Sequence, residues 1–180
     1  MTRAFFEVRA TPAGPAFVQD LGRPGYLSHA VPRGGALVPE LLAAANRAVG
    51  NAPDAAALEL FGGLDATIHS SFPTAARVSL DGAAVPLEAH EGSPAGLTAA
   101  RFVVARPREH RVQYVAVSGG FDVPVVLGGR GTLAPAAFGG HEGRALRPGD
   151  RVPLGAGALC ADECAKRSVR ELRRAGISAV

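Results

Sequence analysis

Glycine and proline interrupt this chain at such short intervals that its main body has room for a single good helix. Among 180 residues there are 23 glycines and 14 prolines, which excludes a helical bundle and favours short strands joined by turns. The exception is the stretch from Pro39 to Val49. Proline at its start and Gly50-Asn51 at its end follow the usual asymmetry of helix termini. Leu41, Ala45 and Val49 share one face with Leu42 beside them, so the spacing predicts a helix packed on a sheet. Asn46 and Arg47 fall away from that stripe, either into solvent or back toward the glycine-rich loops.

The rest reads as strands. Ala4 to Val8 and Ala16 to Val18 are separated by the turn signal Thr11-Pro12-Ala13-Gly14-Pro15. Ala57 to Leu60 reads as a buried strand carrying one functional or capping acid, Glu59; Gly62-Gly63 turns the chain and Ala66 to His69 returns it. Val78 and Leu80, Asp81-Gly82, then Val85 and Leu87 form the clearest hairpin signal. Residues 89–99 read as loop. Phe102 to Ala105 and Val112 to Val117 are expected to pair across Pro107-Arg108-Glu109-His110. In the latter run, Val112, Tyr114 and Ala116 face one way and Val115 and Val117 the other, so that strand is buried on both faces. Pro148-Gly149 within Leu146 to Val152 signals a type II turn. Ala161 to Ala175 can form a short C-terminal helix, with Asp162 and Glu163 early and Arg170, Arg173 and Arg174 late. The expected division is a β domain over residues 1–155 followed by a basic tail over 156–180.

Several function classes drop out. The formal net charge of +3 is small and scattered, without basic clusters or interleaved aromatics, so no nucleic-acid partner is expected. No apolar run reaches membrane-spanning length and no signal-peptide pattern opens the chain, so no membrane partner is expected. Cys160 and Cys164 give no disulfide framework, so a reducing cytoplasm is the expectation and both read as free thiols. His29, His69, His90 and His110 lack ligand spacing, so no metal site is expected.

Two stretches carry chemistry. In Val18-Gln19-Asp20-Leu21-Gly22-Arg23-Pro24-Gly25-Tyr26, a short apolar run delivers polar side chains into a segment that cannot be regular. Gln19 donates and accepts, Asp20 accepts, and Arg23 offers a fixed fork for carboxylate or phosphate. Read alone, Asp20 and Arg23 are either an ion pair stapling a turn or part of an anion site. The second stretch runs from Ser118-Gly119-Gly120 through Leu127-Gly128-Gly129-Arg130 to Phe138-Gly139-Gly140-His141-Glu142-Gly143-Arg144. Its glycines imply close backbone approach to another strand, a neighbouring protein or a ligand.

In order and spacing, these motifs, together with Val31-Pro32, Gly35-Ala36, Ala45-Asn46-Arg47, Val49-Gly50-Asn51, Ala57-Leu58-Glu59, Asp122-Val123-Pro124 and Pro148-Gly149-Asp150, resemble the N-terminal half of the carboxyltransferase family also described as allophanate hydrolase subunit 2. That family includes the C-type component of 5-oxoprolinase, the carboxyltransferase domain of urea carboxylase and a regulator of a sporulation-kinase inhibitor. The resemblance implies a mainly β, cyclophilin-like β-barrel or sandwich with one packed helix (39–49). It implies a subunit-B-like partner, joined by an A-type component in the full complex, and ATP-dependent opening of 5-oxoproline to glutamate. On this reading Arg23, Arg130 and Arg144 hold an oxyanion, with the N–H groups around Gly119, Gly120, Gly139 and Gly140 as neutral donors. Gln19 fixes an amide, Asp20 or Glu142 takes a proton or orients an arginine, and His141 is an acid–base candidate or else a structural histidine.

The sequence departs from the family pattern where Val38 replaces an acid, where the passage from Phe61 to Arg77 is shortened, and where a basic tail replaces the second half. The expectation is a chain inactive alone, working in a hydrolase complex with a shared ATP. The alternatives are a non-catalytic binding module or a carboxyltransferase fragment, with self-association as the fallback where no partner covers the chain.

Overall fold

The computed structural model describes residues 3–71, 76–90, 93–94, 97–106 and 111–155. Among the described residues, ten strands and one α-helix follow in order: β1 (Phe5–Ala10), β2 (Ala16–Gln19), α1 (Pro39–Ala48), β3 (Ala57–Leu60), β4 (Leu64–Ser70), β5 (Val78–Leu80), β6 (Ala83–Val85), β7 (Glu88–His90), β8 (Thr98–Val104), β9 (Gln113–Val117) and β10 (Arg151–Pro153). They form two five-stranded antiparallel sheets, ordered β10-β1-β4-β8-β7 and β2-β3-β9-β5-β6. Of the expected barrel or sandwich, the sandwich is what forms; among the described residues the two sheets do not close into a barrel.

Alternation explains the core. Phe6, Val8, Leu64, Ala66, Ile68, Phe102 and Val104 point inward from the first sheet, and Val18, Leu58, Leu60, Val78, Val115 and Val117 meet them from the second. Phe6 lies edge-on to Phe121, with ring centroids 5.3 Å apart. A second cluster sits on the outer face of the second sheet, where Leu42, Ala45 and Val49 pack on Ala57, Val112, Tyr114 and Ala116. Strand β9 thus lies between the core and α1, which is why it is apolar on both faces.

The Asp81-Gly82 hairpin forms as expected, both residues taking positive φ (50° and 97°), the backbone of a type I′ turn. Two expectations are corrected. Residues 89–99 are not simply loop: β7 reaches His90 and β8 begins at Thr98, both paired in the first sheet. The small residues Ala99 and Ala100 gave little strand signal, and pairing with β4 overrides that weak propensity. Nor do β8 and β9 pair with each other. β8 lies between β4 and β7, whereas β9 lies between β3 and β5 in the other sheet. The turn at 107–110, the tail helix at 161–175, Cys160 and Cys164 fall outside the described residues.

The start of α1 is held from below. Its N-cap, Val38, offers no capping side chain. Instead the N–H of Leu37 donates to Glu59 Oε2 (2.7 Å) and that of Val38 donates to the Tyr114 hydroxyl (2.8 Å), which itself donates to Glu59 Oε2 (2.6 Å). Glu59 is therefore the capping acid. Burial pushes the Tyr114 hydroxyl well above the ordinary phenol value, and its bond to Glu59 adds to that.

Candidate functional site

Strand β2 ends at Gln19 and hands Asp20 to the irregular loop. Asp20 Oδ1 accepts the N–H of Gly22 at 2.7 Å, an Asx-type turn, and Oδ2 accepts the N–H of Arg130 at 2.5 Å. Both carboxylate oxygens are thus committed to backbone. The Asp20–Arg23 ion pair does not form. Arg23 is fully buried; its Nε donates to the Val126 carbonyl (3.2 Å) and its Nη2 to that of Gly131 (2.5 Å), while the guanidinium lies 5.0 Å from the Phe138 ring centroid. Residues 18–23 thereby grip residues 126–138. Thr132 completes the grip, its N–H and hydroxyl both donating to the Val18 carbonyl (2.9 Å each) while its own carbonyl accepts Gln19 Nε2 (3.1 Å).

This grip explains the glycines. A Cβ on Gly131 would stand 2.6 Å from Gln19 Oε1 and 2.7 Å from Asp20 Oδ1; one on Gly139 would meet the Gly131 carbonyl, and one on Gly140 the Thr132 hydroxyl. The close approach inferred from sequence is therefore to the opposing loop at Gly131 and, at Gly139 and Gly140, chiefly to the glycine-rich segment itself.

Two clefts open beside the grip. The first, about 580 Å³, gathers Asp20, Gly119, Gly120 and Arg130 with Arg3, Asp54 and Asp122. The Arg130 guanidinium, about a third exposed, donates to Asp122 Oδ1 (3.0 Å) and to the Val123 carbonyl, and Asp122 also pairs with Arg3. The N–H of Gly119 donates to Asn51 Oδ1 and that of Gly120 to the Val117 carbonyl (2.8 and 2.9 Å), so both N–H groups expected as neutral donors are engaged within the fold and these glycines shape the wall. Asn51 in turn donates to Asn46 Oδ1 (3.0 Å). Asn46 is buried and supports the glycine loop from α1, whereas Arg47 is exposed.

The second cleft, about 480 Å³, gathers Gly139, Gly140, His141 and Glu142 among Val123, Val126, Phe138 and Pro153. Glu142 takes a left-handed backbone (φ 55°), uncommon outside glycine, and its carboxylate meets Arg144 at 2.6 Å. Arg144 forks onto Asp150 as well (2.7 and 2.9 Å), and His141 Nε2 lies 3.7 Å from Asp150 Oδ1. Arg144 is held between two carboxylates, which push its pKa above the ordinary arginine value; the bond to Asp150 is the largest cause. Asp122 lines both clefts.

The structure thus brings Asp20, Gly119, Gly120 and Arg130 together at one cleft and Gly139, Gly140, His141 and Glu142 at its neighbour. Gln19 and Arg23 lie buried in the grip between them. Sequence reading missed Arg3, Asp54, Asp122 and Asp150 as site residues. Asp122 carried a signal, being a charged residue within an otherwise apolar, glycine-rich run; Arg3 carried none. No cluster of metal-ligating side chains occurs among the described residues, and no described helix is long and apolar enough to cross a membrane.

Residues 29–177 match the family model of the carboxyltransferase domain, subdomain A and B. The chain is 37% identical over 147 residues to the C-type component of 5-oxoprolinase from Escherichia coli (strain K12), covering 77% of this chain and 46% of that protein. It is 33% identical over 156 residues to a urea amidolyase of Lachancea kluyveri, covering 81% of this chain and 8% of that one. The fold is similar to the crystal structure of Kluyveromyces lactis urea carboxylase, with a TM-score of 0.68 at 30% identity over 86% of this chain and 14% of the other. The chain thus spans about half the length of the 5-oxoprolinase component and a smaller part of the other two.

Proposed function

The chain belongs to the carboxyltransferase domain family, subdomain A and B, and on that footing we propose that it is one component of an ATP-dependent amidohydrolase of the 5-oxoprolinase type. Its reaction opens 5-oxoproline to glutamate in concert with a subunit-B-like protein and, in the full system, an A-type component. The observation that carries this reading is the polar cleft at which Arg130, anchored on Asp122 yet partly open, stands beside Asp20 and Gly119-Gly120.

A ring amide is a poor electrophile until its oxygen is activated, and the work of such a site is positioning and electrostatics. The cleft fits a phosphate-bearing cosubstrate: Arg3 and Arg130 are 59% and 35% exposed and both face it, so they would hold the phosphates, and ATP supplies the activation of the amide oxygen. Asp20 fixes the loop carrying Arg130, since both its oxygens are engaged by amide hydrogens. Proton transfer falls to His141, backed by Asp150. Both clefts are open to solvent, whereas such chemistry needs a dry site. A partner protein supplies that cover.

The test is ATP-dependent glutamate release by the chain alone and mixed with its A-type and B-type companions. The expected result is no turnover alone, turnover in the mixture, and a loss on the order of a hundredfold in Arg130→Ala, the usual size for removing one charge-stabilising donor. Clear turnover by the chain alone, or an unimpaired Arg130→Ala mixture, overturns the reading. The likeness to urea carboxylase favours a second reading, carboxyl transfer to urea. Incorporation of labelled bicarbonate into urea, with 5-oxoproline left intact, would select it.

A further inference from the structure

The outer face of the first sheet holds a line of side chains that neither cleft uses. Strand alternation sends Phe6 and Val8 into the core and turns Phe5 and Glu7 outward; on β4, Ile68 points in and His69 out. An outward histidine is normally solvated, yet His69 is only 3% exposed. Its ring stacks on Phe5 with centroids 4.4 Å apart and planes within 13°. Its Nε2 lies 3.1 Å from Glu7 Oε2 and its Nδ1 lies 2.9 Å from Ser93 Oγ. The second oxygen of Glu7 accepts Arg151 Nε at 2.9 Å. A carboxylate on one ring nitrogen and a hydroxyl on the other is the arrangement that turns a weak hydroxyl into a nucleophile: the acid fixes the ring and its tautomer, and the opposite nitrogen takes the hydroxyl proton.

We propose that Ser93, His69 and Glu7 form a second reactive centre, in which Ser93 is the nucleophile of an acyl-transfer site for small activated esters. Ser93 Oγ attacks the ester carbonyl carbon while its proton passes to His69 Nδ1. The bond from that carbon to the leaving oxygen breaks, and the departing alcohol takes the proton from His69. Water then attacks the acyl-serine, giving its proton to His69. The acid is released and the proton returns to Ser93 Oγ. Glu7 keeps Nε2 protonated and stabilises the imidazolium formed midway. Burial pushes the Glu7 carboxyl up, but hydrogen bonds from Arg151 and His69 outweigh this and hold it below the ordinary value, so it is ionised at neutral pH. Relative to the most familiar serine relays the ring is turned over, with Nδ1 toward the hydroxyl. The two ring nitrogens are chemically competent in either role.

Two probes test this on the full chain: a fluorophosphonate label read by peptide mapping, and the burst of nitrophenolate from p-nitrophenyl acetate. The expected result is a single label on the peptide containing Ser93, abolished in Ser93→Ala, a small change at a partly exposed position that should melt with the wild type. His69→Gln should slow labelling at least a hundredfold, the usual size for a positioned base, and Glu7→Gln at least tenfold, since the orienting carboxylate fixes the ring's tautomer. Arg130→Ala, which touches none of the three, should label at the wild-type rate, separating this centre from the clefts. Absence of label on Ser93, or labelling indifferent to His69→Gln in a protein that still melts cooperatively, overturns the proposal and leaves the line as a polar seal over β1 and β4.

Discussion

Asp150 is an acid whose polar neighbours favour its charge. It accepts two hydrogen bonds from Arg144 and one from the N–H of Arg147 at 2.8 Å, closing the Pro148-Gly149 turn. The bonds from Arg144 hold its carboxyl below the ordinary value of 3.8 against the opposing effect of burial, with the Arg147 amide and the nearby His141 adding to them. A carboxyl lowered in the folded state contributes stability that is complete above its unfolded pKa and is lost as pH falls toward the folded one. Asp150→Asn should therefore cost about 1–2 kcal/mol at pH 6, the scale of charge-assisted bonds at a partly solvated site. The gap from wild type should close as the pH falls below about 4, near the ordinary carboxylate value. Thermal melts across that range check it; a gap of equal size at pH 6 and pH 3 would show that shape, and not charge, is what Asp150 supplies. Arg23 teaches a related lesson. Its neighbour Asp20 invites an ion-pair reading, but each reaches separately across to the other loop, and a local pattern carries no information about a carbonyl more than a hundred residues away.

The helix shows how an element can be legible while its anchorage is not. Its stripe and its terminal proline and glycine marked it to within a residue, and the alternation of β9 marked both buried faces. Nothing local said that a strand tyrosine and a strand glutamate would stand in for the missing cap, because that depends on the register Glu59↔Tyr114. Tyr114→Phe should strand the half-buried N–H of Val38 and cost about 1–2 kcal/mol, toward the lower end of the penalty for a donor left unpaired. Glu59→Gln keeps an acceptor and should cost less. Urea denaturation of the two variants checks the order; equal losses would mean that the charge of Glu59, and not its acceptor, holds the helix start. Strands β7 and β8 were obscure for the opposite reason. Their alanines carry weak local preference, and only the pairing of β8 with β4 and of β7 with β8 decides them.

Across the whole molecule, residues at the two ends of the described chain are joined: β1 pairs with β10 on one side and β4 on the other. The glycine-rich segment that forms both clefts is likewise fastened to β2, which lies at the margin of the second sheet. That fastening has a colloidal consequence. A strand at a sheet margin exposes a row of backbone donors and acceptors that can template pairing with another copy, and natural sheets cover such rows. Thr132 covers the row here at Val18, so a change made to probe the clefts also strips protection from a sticky border. Gly140→Ala, whose new Cβ would run into the Thr132 hydroxyl, should pry the segment loose. Light scattering at matched concentration should then find larger particles than for the wild type, and unchanged dispersity would show that the border stays covered. The walls of the clefts and the cover on the sheet margin hang from the same few atoms, so a mutation at Thr132 or Gly140 touches both.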